Sequence, residues 1–116
     1  VLTVTEATDE TFDAGVLKSD IPVLVMFGTE EIAACRSMRT WLEGLTGELD
    51  GFLKLVNVNV DTSGGVTFRY QVVSVPTLIL FRNGVELLRL EKVFSPGALR
   101  DRILSHLDIG GLSPRS

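Results

Sequence analysis

Cysteine is nearly absent from this sequence of 116 residues. Its single example, Cys35, has no partner within the chain. A disulfide framework is thereby excluded, and a lone thiol fits a reducing, cytoplasmic setting. Histidine is equally scarce. His106 and Cys35 lie far apart and make no metal-ligand pattern, so no metal and no cofactor is expected. Long hydrophobic runs are missing too: Val23–Phe27 and Thr77–Phe81 are far too short to span a bilayer, and no charged-then-apolar leader opens the chain. There is no basic excess. Eleven Lys and Arg face fifteen Asp and Glu, a net charge of −4. A nucleic-acid partner or an anionic membrane surface would require a basic stripe, so neither is expected.

What is present describes one globular domain. The length leaves no room for a second core, and 45% hydrophobic with 22% charged residues excludes a disordered chain. Leu2–Thr5 reads as a short strand. Asp9–Leu17 reads as a helix with Thr8 as cap, because Phe12 and Val16 share one face. Val23–Phe27, apolar and rich in β-branched residues, reads as a strand covered on both faces. In Glu30–Leu49, Ile32, Cys35, Met38, Leu42, Leu45 and Leu49 recur at steps of three and four, which predicts an amphipathic helix of about five turns. Gly44 and Gly47 weaken its second half.

Leu53–Val60 is the next strand. The glycine-containing stretch Asp61–Gly65 is a loop, lacking the Gly-Lys-Ser/Thr ending of a phosphate loop. Val66–Tyr70 reads as a short helix. Thr77–Phe81 and Val85–Leu90 are strands joined by Asn83-Gly84, a hairpin signal. Ser95 caps a last helix that opens on Pro96 and buries Leu99, Ile103 and Leu107. The order β-α-β-α-β-α-β-β-α predicts an α/β fold with a mixed sheet and helices on both faces. A domain over residues 1–107 with a loose tail over 108–116 is expected.

That order carries Ser74-Val75-Pro76-Thr77 before one strand and Phe81-Arg82-Asn83-Gly84 after it. The pattern resembles the thioredoxin family over residues 1–107. Val25-Met26-Phe27 looks like the family's central strand and Val58-Asn59-Val60-Asp61 like its third. Val75-Pro76-Thr77 looks like its cis-proline loop. The resemblance implies the thioredoxin fold: a central mixed sheet of about five strands flanked by about four helices.

The family's redox site is a Cys-Gly-Pro-Cys turn preceded by Trp. Here the stretch reads Glu31-Ile32-Ala33-Ala34-Cys35, so Ile32 stands at the attacking cysteine and Cys35 at the resolving one. Gly28 replaces another Trp. Met26 and Asn57 replace a buried Asp and its Lys partner, Thr40 a helix Pro, and Lys92 a groove Gly. Ordinary disulfide reductase activity is not expected, since a lone thiol stops at the mixed disulfide unless an outside thiol completes the cycle.

Cys35 shares a helix face with Met38 and Leu42, which predicts a buried, slow thiol. Without Gly and Pro, the helix is expected to start near Thr29–Ile32, with Thr29 as N-cap and Glu30 and Glu31 in its first turn. The main expectation for function is a non-catalytic binding or chaperone-like module. Its groove would be lined by Glu31, Ile32, Ala33, Ala34, Val75, Pro76 and Lys92 and would hold a protein or peptide. The alternative is a monothiol redox protein or sensor, with Cys35 as the catalytic candidate. A structural domain of a larger assembly is a third reading. Trp41 is expected as a half-buried helix residue and Arg36, Arg39 and Glu43 as a solvated charged face.

Overall fold

The structure is a computed structural model that describes residues 4–45, 49, 51–91 and 95–107. Five strands form one sheet: β1 (Val4–Ala7), β2 (Val23–Gly28), β3 (Lys54–Asn59), β4 (Thr77–Arg82) and β5 (Val85–Leu90). Their spatial order is β1-β3-β2-β4-β5. β1 and β2 run parallel to β3, whereas β4 is antiparallel to β2 and to β5. The sheet is therefore mixed, as the order of elements predicted. The hairpin turns at Asn83 and Gly84, both at positive φ (52° and 78°), the backbone that a two-residue connection between twisted strands requires.

Every residue of β2 is buried, and alternation divides its side chains between two cores. Val23, Val25 and Phe27 join Val56, Val58, Ile79 and Phe81 on one face, beneath Phe12, Val16 and Val66. Leu24 and Met26 join Leu55, Leu78 and Leu80 on the other. That second face is covered by α1 (Ala33–Gly44), through Met38 and Leu42, and by a C-terminal helix, Pro96–Leu104, through Leu99, Ile103 and Leu104. The first face is closed by a short helix α2 (Gly64–Arg69) and by a π-helical segment, Asp13–Leu17. The C-terminal helix (α3) starts as expected: the Ser95 hydroxyl accepts the Ala98 N–H at 3.1 Å, with Pro96 next.

Several boundaries differ from expectation. The first strand lies at Val4–Ala7 rather than Leu2–Thr5, and residues 1–3 fall outside the described set. The first helix is not a regular α-helix over Asp9–Leu17. Helical bonding does begin at the Thr8 carbonyl, which accepts the Thr11 and Phe12 N–H groups. The Thr8 hydroxyl caps no backbone N–H, however. It is Thr11 Oγ1 that accepts from Thr8 N. The following turn is wide, with Lys18 N–H donating to the Asp13 carbonyl at 3.0 Å. Two long-range contacts accompany this change. Lys54 Nζ takes the Gly15 carbonyl at 3.0 Å, and the Asp9 carboxylate turns away to accept the N–H groups of Gly65 and Val66 at 3.1 and 2.8 Å.

The helix predicted over Glu30–Leu49 is continuous only over Ala33–Gly44. Leu49 is buried in the core beyond it, while residues 46–48 and 50 are outside the described set. Gly44 marks the observed end. The tail expected over 108–116 is likewise outside the described residues. Among the described residues, no helix is long and apolar enough to cross a membrane.

Candidate functional site

The predicted helix start is corrected by the structure. Ile32, not Thr29, is the N-cap, with extended backbone (φ −105°, ψ 124°), and no acidic residue occupies the first turn. Residues 29–32 form a separate turn in which Ile32 N–H donates to the Thr29 carbonyl at 3.3 Å and Glu31 N–H lies 3.4 Å from Thr29 Oγ1. The Arg36 guanidinium reaches back to the Glu30 carbonyl and secures this turn outside the helix. The sequence signal from Thr29, Glu30 and Glu31 was local, and a side chain one turn into the helix overrode it.

Cys35 lies in the first turn of α1, its N–H donating to the Ile32 carbonyl at 3.0 Å. It is a free thiol, only 2% exposed, on the buried stripe with Met38 and Leu42. It packs against Gly28, the last residue of β2. A Cβ added there would stand 2.9 Å from Cys35 Sγ and 3.3 Å from Cys35 Cβ. The glycine is thus what lets the sulfur settle against the strand. In the sequence Gly28 reads only as a replacement for a Trp, because nothing local links it to a residue on the next helix.

Of the predicted groove residues, Pro76 lies at the same end of β2 as Gly28, because Phe27 pairs with Thr77. Glu31, Ile32, Ala33 and Ala34 are all exposed, Ile32 by 40%. Val75 and Pro76 are half-buried, and the peptide bond between them is cis. Thr77 Oγ1 donates to the Ser74 carbonyl at 2.6 Å and ties that loop. Lys92 falls outside the described residues. None of the six described residues lines the cavity that Cys35 faces.

That cavity is a cleft of about 690 Å³ between α1 and the β1-β3-β2 side of the sheet. The strand registers explain its floor. Glu6 pairs with Asn57, Asn57 with Met26, and Asn59 with Gly28, so these side chains occupy neighbouring positions on the face beneath α1. Asn57, 8% exposed, donates from Nδ2 to Glu6 Oε1 at 2.9 Å. Glu6 also lies 3.4 Å from Arg39, which lies 3.6 Å from Glu43 one turn on. The helix contributes Cys35, Arg36, Arg39, Thr40 and Glu43 to the walls. Arg39 and Glu43 pair as expected on a solvated face, with Arg36 and Glu43 exposed, and this face also borders the cleft. Trp41 is half-buried against the core. Among the described residues, no three His, Cys, Asp or Glu side chains gather as a metal site.

Chemically, the arrangement offers one nucleophilic sulfur at a polar cleft and no second thiol within the chain. It can form a mixed disulfide with an outside partner and cannot close an internal one.

Comparison with known proteins agrees with the fold. The family described as Thioredoxin matches residues 3–105. The chain is 38% identical to "Thioredoxin" of Rickettsia bellii over 77 residues, 66% of this chain and 73% of that protein. It is 42% identical to "Thioredoxin" of Streptomyces clavuligerus, over 66% of this chain and 71% of that protein. It is 37% identical to "Thioredoxin 1" of a Nostoc species, over 68% and 74%. These relatives overturn the expectation of a non-catalytic binding or chaperone-like module. They bear the name of a redox protein, and redox chemistry through Cys35, the alternative, fits them better. By fold, by the match over nearly its whole length and by these relatives, the chain belongs to the thioredoxin family.

Proposed function

We propose that the protein performs thiol–disulfide exchange with Cys35 as its only reacting sulfur. The observation that carries this reading is the placement of Cys35, in the first turn of α1 and on the wall of the α1–sheet cleft. Membership of the thioredoxin family supports the same chemistry. In the first step the Cys35 sulfur, having given its proton to solvent, attacks one sulfur of an external disulfide. A Cys35–S–S–R bond forms and the other half leaves as a thiolate. In the second step an external thiol attacks the R sulfur, returns Cys35 to the thiol state and leaves as a new disulfide. The net result is an exchange, one R thiol released and the external thiol left in the new disulfide, and full reduction of that disulfide takes a second external thiol because the chain has no resolving cysteine. A reducing, cytoplasmic compartment suits this cycle, since the free thiol is its resting form. Burial makes the first step slower than for an open thiol, as collision with the sulfur requires passage into the cleft.

The test is direct. The native chain is incubated with hydroxyethyl disulfide, followed by intact-mass spectrometry, then treated with dithiothreitol. One adduct per chain is expected, on Cys35, absent in Cys35→Ser and fully reversed by the reductant. If the native chain gains no adduct while the urea-unfolded chain reacts promptly, Cys35 is a packing residue and the function fails.

A further inference from the structure

Asn83 and Gly84 form the exposed tip of the β4–β5 hairpin, both at positive φ. The turn explains why these two residue types stand there, yet it leaves their chemistry unused. Asparagine followed by glycine can close a ring on itself. The Gly84 backbone nitrogen attacks Asn83 Cγ within one molecule, where proximity replaces collision. Glycine carries no Cβ to crowd that nitrogen.

The chain holds two other asparagines, and the structure separates them from Asn83. Asn57 lies in β3, is 8% exposed, and donates from Nδ2 to Glu6 at 2.9 Å. Asn59 ends β3, and its Oδ1 accepts the Asp61 N–H at 2.8 Å. Each is followed by a valine, Val58 or Val60, whose branched side chain crowds the attacking nitrogen. The Val60 N–H is itself held by the Gly28 carbonyl at 3.1 Å. By contrast, neither the Asn83 side chain nor the Gly84 N–H makes a hydrogen bond to any described residue. Nucleophile and target are thus both unheld at the hairpin tip.

We propose that Asn83 is a site of spontaneous backbone modification, converting through a cyclic imide to isoaspartate and aspartate, and that the isoaspartate form loosens the β4–β5 hairpin. In the first step the Gly84 nitrogen loses its proton, a bond forms from it to Asn83 Cγ, and the Cγ–Nδ2 bond breaks. Ammonia leaves, carrying that proton. Water from solvent then opens the ring. Addition at Cγ gives aspartate. Addition at the former backbone carbonyl gives isoaspartate, in which the chain runs through Cγ. No electrons are exchanged, and water is the only co-reactant. Aspartate keeps the turn, because Asp, like Asn, tolerates positive φ. Isoaspartate puts an extra backbone carbon between strands whose register the turn sets. Gly84 has little room to absorb it, as a Cβ there would stand 3.2 Å from the Leu17 carbonyl oxygen.

The experiment holds the native full chain in warm, mildly alkaline buffer and samples it over days by peptide mass spectrometry, with electron-transfer fragmentation to tell isoaspartate from aspartate. Conversion is expected at Asn83 at least about tenfold faster than at Asn57 or Asn59, the rate ratio of a small difference in barrier. Ammonia released should match the converted fraction. Conversion at Asn83 in the urea-unfolded chain with none in the native chain would overturn the proposal, since the fold would then shield the tip. Equal rates at the three asparagines would overturn it too. Both products carry one more negative charge than the parent, so ion exchange isolates them for urea unfolding. A lower midpoint is expected for the isoaspartate form alone, and equal midpoints for the two forms would overturn the loosening. The measurement needs no variant. Cys35 takes no part in it, so exchange at that sulfur stands or falls separately.

Discussion

Replacing Gly28 by Ala tests the packing that defines the site. Gly28 ends β2 without a positive φ, so alanine is compatible with its backbone. The new Cβ would meet Cys35 Sγ at 2.9 Å and Cys35 Cβ at 3.3 Å. The first distance is too short for contact, and the sulfur has to leave a well-packed, 2% exposed position. Overpacking of this kind costs about 1–3 kcal/mol. Against it stands a gain of about 0.4–1 kcal/mol, because alanine restricts the unfolded chain. The expected net loss for Gly28→Ala is therefore about 1–2 kcal/mol.

In a Cys35→Ala background the sulfur is gone and only the 3.3 Å contact remains. There the two terms nearly cancel, and Gly28→Ala should be neutral to within about 0.5 kcal/mol. The difference between backgrounds, about 1–2 kcal/mol, is the coupling energy of a double-mutant cycle. Urea unfolding followed by the fluorescence of Trp41, the only Trp and half-buried against the core, measures all four proteins. Equal costs of Gly28→Ala in both backgrounds would refute the placement of the sulfur against the strand end.

The remaining predictions concern the support of the fold. Asp9→Ala removes the acceptor for the N–H groups of Gly65 and Val66, and should cost about 1–2 kcal/mol in urea melts, as loss of a helix cap does; Asp9→Asn should recover part of that. Ser95→Ala removes the hydroxyl that caps α3 and should cost about 1 kcal/mol; an unchanged midpoint would show that Pro96 alone sets the helix start. Tyr70, the only Tyr, packs 5.4 Å from Phe12 and 5.3 Å from Phe81 between ring centroids, with the Arg69 guanidinium 5.3 Å from its own ring. Burial holds its phenol above the usual value, outweighing the opposing pull of Arg69. Because the folded pKa is the higher one, the associated stability is complete below about pH 10, the unfolded value, and is lost as pH rises through the folded value. Ultraviolet titration of the phenolate should therefore give a higher midpoint in the native than in the urea-unfolded chain. A native midpoint equal to or below the unfolded one would contradict it.

The strands were legible in the sequence because burial imposes period two or continuous apolarity on them. Val23–Phe27 and Val85–Leu90 stand within a residue of their predicted bounds, and Asn83-Gly84 specified its own turn through local backbone preference. Likewise, helical spacing alone placed Cys35 on a buried stripe with Met38 and Leu42. Helix starts were legible only where their caps were local, as at Ser95. At α1 and at the first helical segment, Arg36 and Asp9 spent their side chains on other backbone groups, and the boundaries moved.

What the sequence by itself determined was the family, the mixed α/β fold and the presence of one thiol with no partner. Tertiary structure alone decided what surrounds that thiol. Asn57 and Glu6 lie 51 residues apart and Arg39 and Glu6 33 apart, yet strand register and helix packing bring them to one cleft. No local spacing encodes that meeting. Register is a property of paired strands, and a sulfur's access depends on which residues from other elements fold over it.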